Sequence, residues 1–510
     1  MVNFSRIFKK ASYPDYYTIS LIIFSLVFYC IILFLAEYIN IWEDEAYSLN
    51  TTSGGLRYAF HQSIFFESQP PVYFLLLTLW RFISDSILWA RLFNFLLIII
   101  SQILLYQFIN KESNRKIATA ASVLFLLNPT IIFTLLEIRL FALVILISII
   151  LIKIFYESYY KGKITVQSKV LYILFAIIGI FTQYFIGFLL FANAIVLLFE
   201  KKNRSFWIYI LDMLIPLGLI ILYIPNLLMS LKVQTAIVVP HNETFWNSII
   251  AVFNVLFERI FRYIMPLNFS IAKIWILRVL LIGFLFLAID QEKLKKNKSK
   301  LSMYIIITSI LFLFFVLLHF QFGSPYSAYK YTTIVFIPLF ILFLTLLNFI
   351  KPKYFNVVLL TFAVFYITFN FRQYHKLYKY HDYKKIGKYL EKNENIGEPV
   401  FVYRNISAEI LNRYYKGLNV IHSLPGPIAY NREFGPEQWN INTLKINQLN
   451  KTLVEYSCFY VLIIDDNSMM PGFTESKNRL MDYLSLSFIT KEEKLFGANA
   501  KLYKFSNRTD

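Results

Sequence analysis

The chain has 510 residues, of which 57% are hydrophobic and 16% are charged, and its net charge is +19. Soluble domains contain about a quarter charged residues, so this composition excludes an ordinary soluble protein and indicates a protein with many membrane spans. Most Lys and Arg residues lie in short runs between apolar segments, such as "KESNRK" and "QEKLKKNKSK". Runs of this kind are typical of membrane topology signals, and they argue against a nucleic-acid partner.

The N-terminal apolar run is long and is not followed by a small-residue cleavage site, which predicts a retained signal anchor. The two cysteines, Cys30 and Cys458, lie in this run and in a strand-like segment near the C-terminus. We do not expect them to meet, so no disulfide framework is predicted.

Apolar segments long enough to cross a ~30 Å hydrocarbon core recur through residues 1–371, which predicts one membrane domain. The predicted spans lie at residues 17–39, 87–109, 117–136, 140–158, 168–186, 187–200, 206–229, 272–289, 301–319, 329–349 and 353–371. Segment 70–84 is apolar but too short to cross, and we expect it to lie on the membrane surface. The basic runs then all fall on the cytoplasmic side, whereas a crossing at 70–84 would break that agreement.

This topology puts the N-terminus in the cytoplasm and residues 372–510 on the outer face. In that outer region, strand-like runs such as "EPVFVYRN" alternate with helix-like runs such as "SAEILNRYYKG". They predict a small α/β domain, joined to the last span by a charged linker at 371–385. The expected fold class is therefore a polytopic α-helical membrane protein with a small extracytoplasmic α/β domain.

Two acidic sites lie close together on the outer face. Glu43, Asp44 and Glu45 follow the first span directly, and Glu67 precedes the two prolines that open segment 70–84. Proline suits the first turn of a helix, and a helix N-terminus there offers donors to a phosphate. A merely solvated acidic cluster is the ordinary alternative. The occurrence of both sites in one short loop favours a functional role.

Charged residues also interrupt the apolar run from 117 to 158, at Glu137 and Arg139. Ionisable residues at bilayer depth are costly and indicate function by default, and arginine can hold a phosphate with two parallel hydrogen bonds. A tight turn whose charges reach lipid headgroups is the alternative. Arg91 and Lys330, each near the start of a span, are further candidates for phosphate contact and equally fit interfacial anchors.

These motifs resemble membrane glycosyltransferases of the GT-C fold, in the family 39-like branch of protein mannosyltransferases and aminoarabinose transferases that includes Rgt-type enzymes. Order and spacing agree from residue 44 to residue 331. The matching positions are Asp44-Glu45-Ala46-Tyr47, Glu67-Ser68-Gln69-Pro70-Pro71-Val72-Tyr73, Arg91-Leu92, Glu137-Ile138-Arg139-Leu140-Phe141-Ala142-Leu143, Gln183-Tyr184 and Lys330-Tyr331.

Four of these positions differ from the family pattern. Glu67 stands where the family has Asp. Gln69 and Gln183 stand where the family has His, and Lys330 stands where it has Arg. Glutamine can hydrogen-bond to a sugar or phosphate but cannot titrate, so the changes weaken the case for a His-supported metal site or proton relay.

The resemblance implies transfer of a sugar from a polyprenyl-phosphate donor to a glycan, lipid or protein acceptor at the outer face of a bacterial inner membrane, with inversion. It implies Asp44 as the base, with Glu45 and Glu67 orienting the acceptor. Asp44 and Glu67 are also the candidates for holding a divalent cation, Mg²⁺ or Mn²⁺. The implied substrate-binding residues are Gln69, Tyr73, Arg91, Glu137, Arg139, Gln183, Lys330 and Tyr331.

Three other functions remain open on the residues alone. A lipid-linked oligosaccharide flippase would show internal repeats and Gly-broken spans, and this chain has 15 Gly in all. A surface-polysaccharide polymerase or ligase would rely on basic residues in a large late outer loop. A non-enzymatic scaffold that displays the C-terminal domain would not need the paired charges at Glu137 and Arg139.

Overall fold

The computed structural model describes residues 16–236, 262–266, 271–296, 298–322, 329–379, 382–428, 440–464, 472–497 and 499–508. Within these ranges, the side chains of residues 222, 224–236, 271–275, 296, 319–322, 329–331 and 374–379 are not described. The predicted site residues Lys330 and Tyr331 are among the residues whose side chains are not described.

The first part of the chain is helical. Its helices are α1 (Tyr16–Tyr38), α2 (Glu43–Thr51), α3 (Gly55–Phe65), α4 (Val72–Arg81), α5 (Ile87–Glu112), α6 (Arg115–Leu127), α7 (Pro129–Leu136), α8 (Phe141–Ile154), α9 (Val166–Ile180), α10 (Ile186–Phe199), α11 (Asn203–Ala236), α12 (Ile271–Ala288), α13 (Gln291–Lys296), α14 (Lys298–Phe322), α15 (Tyr329–Leu347), α16 (Pro352–Lys379) and α17 (Tyr383–Asn393). A π-helix, Phe155–Tyr160, continues α8.

Capping residues set several helix starts in the membrane part. The Ser86 hydroxyl accepts a hydrogen bond from the Trp89 amide at 3.2 Å at the start of α5. Asn128 caps α7 by accepting from the Thr130 amide at 2.9 Å, and Pro129 follows it in the first turn. These side chains satisfy amides that have no partner inside the helix. Because Asn128 is extended, α6 ends before it and α7 begins after it, and the chain bends by 54° between the two helices.

Six helices in the described ranges are long and apolar enough to cross a membrane, and α6 and α7 together make a seventh if the bent pair is one span. Every segment predicted as a span falls on a helix, but α9 and α10 have only 15 and 14 residues. At a rise of about 1.5 Å per residue, they are shorter than a ~30 Å core. The predicted class, a multi-pass helical membrane protein, is confirmed.

The helix α8 with its π-helical extension lies at the centre of the membrane part. In its most apolar window 78% of residues are buried, against 22% in α1. Its sequence is apolar on all sides, which is typical of a helix enclosed by other helices. The short helix α4 falls within segment 70–84, as the sequence predicts.

The C-terminal part is a mixed sheet with helices on both faces. Its elements are β1 (Val400–Tyr403), α18 (Asn405–Tyr414), β2 (Ile421–Leu424), α19 (Thr443–Leu453), β3 (Cys458–Ile464), α20 (Phe473–Ser487), β4 (Phe488–Phe496) and β5 (Ala500–Asn507). The strand order is β2-β1-β3-β5-β4, with β1 parallel to β2 and β3, and with β5 antiparallel to β3 and β4. The α/β expectation is confirmed.

The side chains along each strand point alternately to the two faces of the sheet, and this alternation divides the core of the domain into two. Val402 and Leu462 pack on the side that continues into the core of the membrane part, whereas Phe401 and Val461 pack under α19 and α20. Successive strand residues point to opposite faces, so one sheet has two cores. Helix α18 packs against α2, which joins the sheet to the start of the membrane domain.

Two features of this region differ from the expectation. Most described residues of the predicted charged linker at 371–385 are helical, because α16 continues to Lys379 and α17 begins at Tyr383. The hairpin of β4 and β5 was not predicted, since "FITKEEKLF" lacks an alternating pattern, and its seven residues from Ile489 to Leu495 are all exposed.

Replacing Leu480 by alanine will test the core that the sheet forms with α19 and α20. Leu480 is fully buried in α20, and removing a buried leucine side chain costs about 2–5 kcal/mol of unfolding free energy. We expect a lower thermal unfolding temperature for the purified full chain. The matched control is Leu486→Ala on the same helix, where the side chain is 72% exposed and no change is expected. Equal shifts for both variants would contradict the assigned core.

Candidate active site

The acidic helix α2 begins immediately after the first span, and its first three residues point in different directions. Glu45 is buried in the membrane domain, Glu43 turns toward the C-terminal domain, and Asp44 is partly exposed. Negative side chains in the first turn of a helix are favoured by the helix dipole. The dense negative charge is therefore compatible with the local backbone, and three separate environments divide it.

Glu45 forms a buried ion pair with Arg91 of α5. The Arg91 Nη2 lies 3.0 Å from Glu45 Oε1, and both side chains are almost fully buried. Glu45 also accepts hydrogen bonds from the amides of Trp42 at 3.1 Å and Ile138 at 3.2 Å. Arg91 donates in addition to the carbonyl of Ile39 at 3.0 Å. The pair thus holds the end of α1, the start of α2 and the loop before α8 together.

Arg139 forms a second buried cluster on the other side of α2. Its Nη1 donates to Glu67 Oε2 at 2.9 Å, to the Ser48 hydroxyl at 3.0 Å and to the carbonyl of Asp44 at 3.1 Å. Burial acts to lower the pKa of Arg139, but the carboxylates of Glu67 and Asp44 outweigh it and raise that pKa. Arg139 is therefore a permanent cation next to Asp44.

Glu67 is placed by the turn between α3 and α4. Its side chain is 4% exposed, and Oε1 accepts a hydrogen bond from the Thr51 hydroxyl at 3.3 Å. Burial raises the pKa of Glu67, and Arg139 offsets this only in part. Of the three acidic residues predicted to be catalytic, Glu45 and Glu67 thus have nearly buried side chains held by partners, and Asp44 is a partly exposed residue.

Asn94 is a site residue that the sequence analysis missed. Its Nδ2 donates to the carbonyl of Glu137, and its Oδ1 accepts from the Tyr73 hydroxyl at 3.4 Å. Asn94 is fully buried in α5, where a polar side chain needs partners. In the sequence, the signal for Asn94 was its side-chain amide within the apolar run "LWARLFNF". Asn94 connects the predicted residues Tyr73 and Glu137.

The turn between α9 and α10 lies against the start of α4. The amide of Val72 donates to the carbonyl of Phe181 at 3.0 Å, and Gln183, two residues on, is buried. Gln69 is partly exposed in the same region. Hydrogen bonds thus join four stretches of the chain, around positions 44, 67, 91 and 139, and the turn before Gln183 lies against the start of α4.

The donor atoms do not favour a metal held by Asp44 and Glu67. In the described ranges, no group of three or more His, Cys, Asp and Glu side chains is placed to hold a metal ion. Both oxygens of Glu67 already accept hydrogen bonds, from Arg139 and Thr51. Divalent cations prefer a larger set of oxygen ligands. The Mg²⁺ or Mn²⁺ site stays a prediction, and no step below uses it.

Replacing Glu45 by glutamine will test the buried ion pair. The change leaves the Arg91 guanidinium buried without a counter-charge, and breaking such a pair from one side costs about 3–5 kcal/mol. We expect a lower yield of folded protein and a lower thermal unfolding temperature. The control is Glu475→Gln, which breaks the exposed ion pair with Arg479. Such a pair contributes about 0–1 kcal/mol to the free energy of unfolding. Stability unchanged in both variants would refute the assignment.

Comparison with known proteins locates the fold. No family model matches the sequence, and no match was found among curated proteins. The structure is similar to ArnT from Cupriavidus metallidurans in the apo state, with a TM-score of 0.54, 12% identity, and coverage of 95% of this chain and 97% of that chain.

A second ArnT structure from Cupriavidus metallidurans, bound to undecaprenyl phosphate, matches with a TM-score of 0.51 and 10% identity. This match covers 94% of the chain and 98% of that protein, so both the helical part and the C-terminal sheet are included. The protein therefore has a GT-C-like fold, similar to that of ArnT.

Proposed function

We propose that the protein transfers one sugar from a polyprenyl-phosphate donor to an acceptor hydroxyl at the outer face of a bacterial inner membrane. The observation that carries the proposal is Asp44, a partly exposed residue whose backbone carbonyl accepts a hydrogen bond from the cation Arg139, in a chain with a GT-C-like fold. The undecaprenyl phosphate bound by one ArnT structure supports a donor of this class. The acceptor is a glycan, a lipid or a protein.

Asp44 acts as the general base in the proposed reaction. It takes the proton of the acceptor hydroxyl as that oxygen bonds to the anomeric carbon of the sugar. The bond from the anomeric carbon to the carrier phosphate breaks, and its electron pair leaves with the polyprenyl phosphate. With one base and no covalent intermediate, displacement is direct and the product is inverted.

The buried charges around Asp44 support the base and do not themselves react. The hydrogen bond from Arg139 to the Asp44 carbonyl fixes the first turn of α2. Glu67 orients Arg139, while Glu45 and Arg91 hold the backbone on either side. We therefore assign Glu45, Glu67 and Arg91 to positioning.

The remaining predicted residues are assigned to the substrates. Lys330, at the start of α15, neutralises the departing phosphate, and Tyr331 lies beside it in sequence. Gln69 and Gln183 hydrogen-bond to the sugar or phosphate. Tyr73 and Glu137 support this arrangement through Asn94.

Replacing Asp44 by asparagine will test the base. Asparagine keeps the size of the side chain but cannot accept the proton, and loss of a general base lowers rates by about 10²–10⁴-fold. The measurement is transfer of radiolabelled sugar from a panel of synthetic polyprenyl-phosphate donors, with purified protein and membrane acceptors. The matched control is Asp85→Asn, an outer-face aspartate whose side chain is 85% exposed.

Donor consumption by the wild type and by the control, together with its loss in Asp44→Asn, is the expected result. Equal consumption by all three proteins would remove Asp44 as the base. If no donor is consumed, but purified protein moves a lipid-linked oligosaccharide across vesicle membranes, the chain is a flippase and the proposal is wrong.

Replacing Arg139 will test the cation. Arg139→Gln removes the charge, and we expect transfer to fall by about 10²–10³-fold, as when an electrostatic stabiliser is lost. Arg139→Lys keeps the charge but not the planar fork, so we expect partial activity. The double variant Glu67→Gln/Arg139→Gln removes both buried charges, which protects folding, and is expected to stay inactive. Arg479→Gln, at an exposed pair, serves as the control.

A further inference from the structure

The C-terminal domain contacts the chain immediately before Asp44. We call residues 39–43, which join α1 to α2, the elbow. The Ile41 amide donates to the Tyr414 hydroxyl at 2.8 Å, and the Lys384 amide donates to Asn40 Oδ1 at 3.2 Å. The elbow is thus hydrogen-bonded to α17 and α18, and its backbone is held by residues that are distant in sequence.

The strongest of these contacts is an ion pair between Glu43 and Arg404. Arg404 Nη1 lies 2.5 Å from Glu43 Oε1, and Nη2 lies 2.6 Å from Oε2, so the two groups meet through two parallel hydrogen bonds. The Arg404 side chain is 3% exposed, and its guanidinium also lies over the ring of Phe473 at 5.8 Å. A two-point contact of this kind fixes orientation as well as distance.

The backbone at Arg404 is unusual for a residue with a side chain. Arg404 follows β1 and precedes α18 with φ at +67°, a region that glycine adopts freely and arginine rarely. Local strain of this kind persists where the surrounding structure requires it, and it points to a role for the side chain. Here the strained turn directs the guanidinium to Glu43.

Tyr47 shows that Arg404 belongs electrostatically to the site. This tyrosine lies one helical turn after Glu43 and is buried. Burial and the carboxylates of Glu43, Asp44 and Glu67 raise its pKa, whereas Arg404 lowers it. The C-terminal domain therefore places a positive charge among the same carboxylates that line the site.

We propose that Arg404 is a positioning residue for Asp44, so that the C-terminal domain is part of the transfer machinery rather than an appendage. Arg404 holds Glu43, the residue next to Asp44, and thereby sets the direction in which the first turn of α2 presents the base. The inference rests on the proposed transferase function and assigns the C-terminal domain a task within it.

The test uses the purified full chain with Arg404→Ala, Arg404→Gly and Arg404→Lys, and with Lys501→Ala as the control. Lys501 pairs with Glu493 in the exposed hairpin of β4 and β5, so its loss removes one cation from the same domain. Two readouts are needed: the kcat and KM for transfer from the polyprenyl-phosphate donor, and hydrogen–deuterium exchange of peptides that cover residues 39–48.

We expect Arg404→Ala to lower kcat by about 10–100-fold, because a misplacement of about 1 Å has effects of this size, with KM for the donor unchanged. Exchange at residues 39–48 should accelerate. Arg404→Gly relieves the backbone strain yet should be as slow as Arg404→Ala, whereas Arg404→Lys should recover part of the rate. A structural role alone would make the glycine variant the better one.

A double-mutant cycle then shows whether Arg404 acts through Glu43. Glu43→Gln with Arg404→Ala should be no slower than either single variant. An unchanged kcat in Arg404→Ala would overturn the proposal. If the wild type transfers no sugar at all, the proposed function fails, but hydrogen–deuterium exchange still tests the contact between Arg404 and Glu43. Unchanged exchange at residues 39–48 in Arg404→Ala would overturn the role of this contact. Faster exchange in Arg404→Ala but not in Lys501→Ala would support it.

Discussion

The buried pair of Glu45 and Arg91 is the interaction on which the candidate active site depends. A carboxylate buried at the end of a membrane span is unstable without a counter-charge, and a guanidinium beside apolar helices needs acceptors for its donors. Each group supplies what the other lacks, and their remaining hydrogen bonds go to backbone atoms just after α1, just before α2 and in the loop before α8. One pair therefore fixes three segments.

The rest of the site is arranged around this fixed frame. Because Glu45 faces inward, the two preceding residues of the same helical turn face elsewhere, with Asp44 near Arg139 and Glu43 against the C-terminal domain. Glu45 is thus paired with Arg91 and Glu43 with Arg404, while the backbone carbonyl of Asp44 accepts a hydrogen bond from Arg139. This division explains why so much negative charge is tolerated where the first span ends.

Much of this arrangement could be predicted from the sequence. Apolar run length predicts the helices, and the paired prolines predict the start of α4, since both signals are local. The different environments of Asp44 and Glu45 could not be predicted, because the two side chains have the same chemistry and only contacts with Arg91 and Arg139 separate them. Asn94 was missed for a similar reason, since its partners lie at residues 73, 134 and 137. The helical residues 371–379 and 383–385 were missed because the charges of this segment resemble those of a linker.

The ion pair that joins Glu43 to Arg404 spans 361 residues of sequence. During synthesis, α1 and the elbow leave the ribosome long before β1 and α18, so the acidic turn exists first without its partner. The pair forms only after the last span is inserted and the sheet has folded. The order of biosynthesis therefore places completion of the acidic turn at the end of assembly, and a chain that stops before β1 lacks the arginine that this turn contacts.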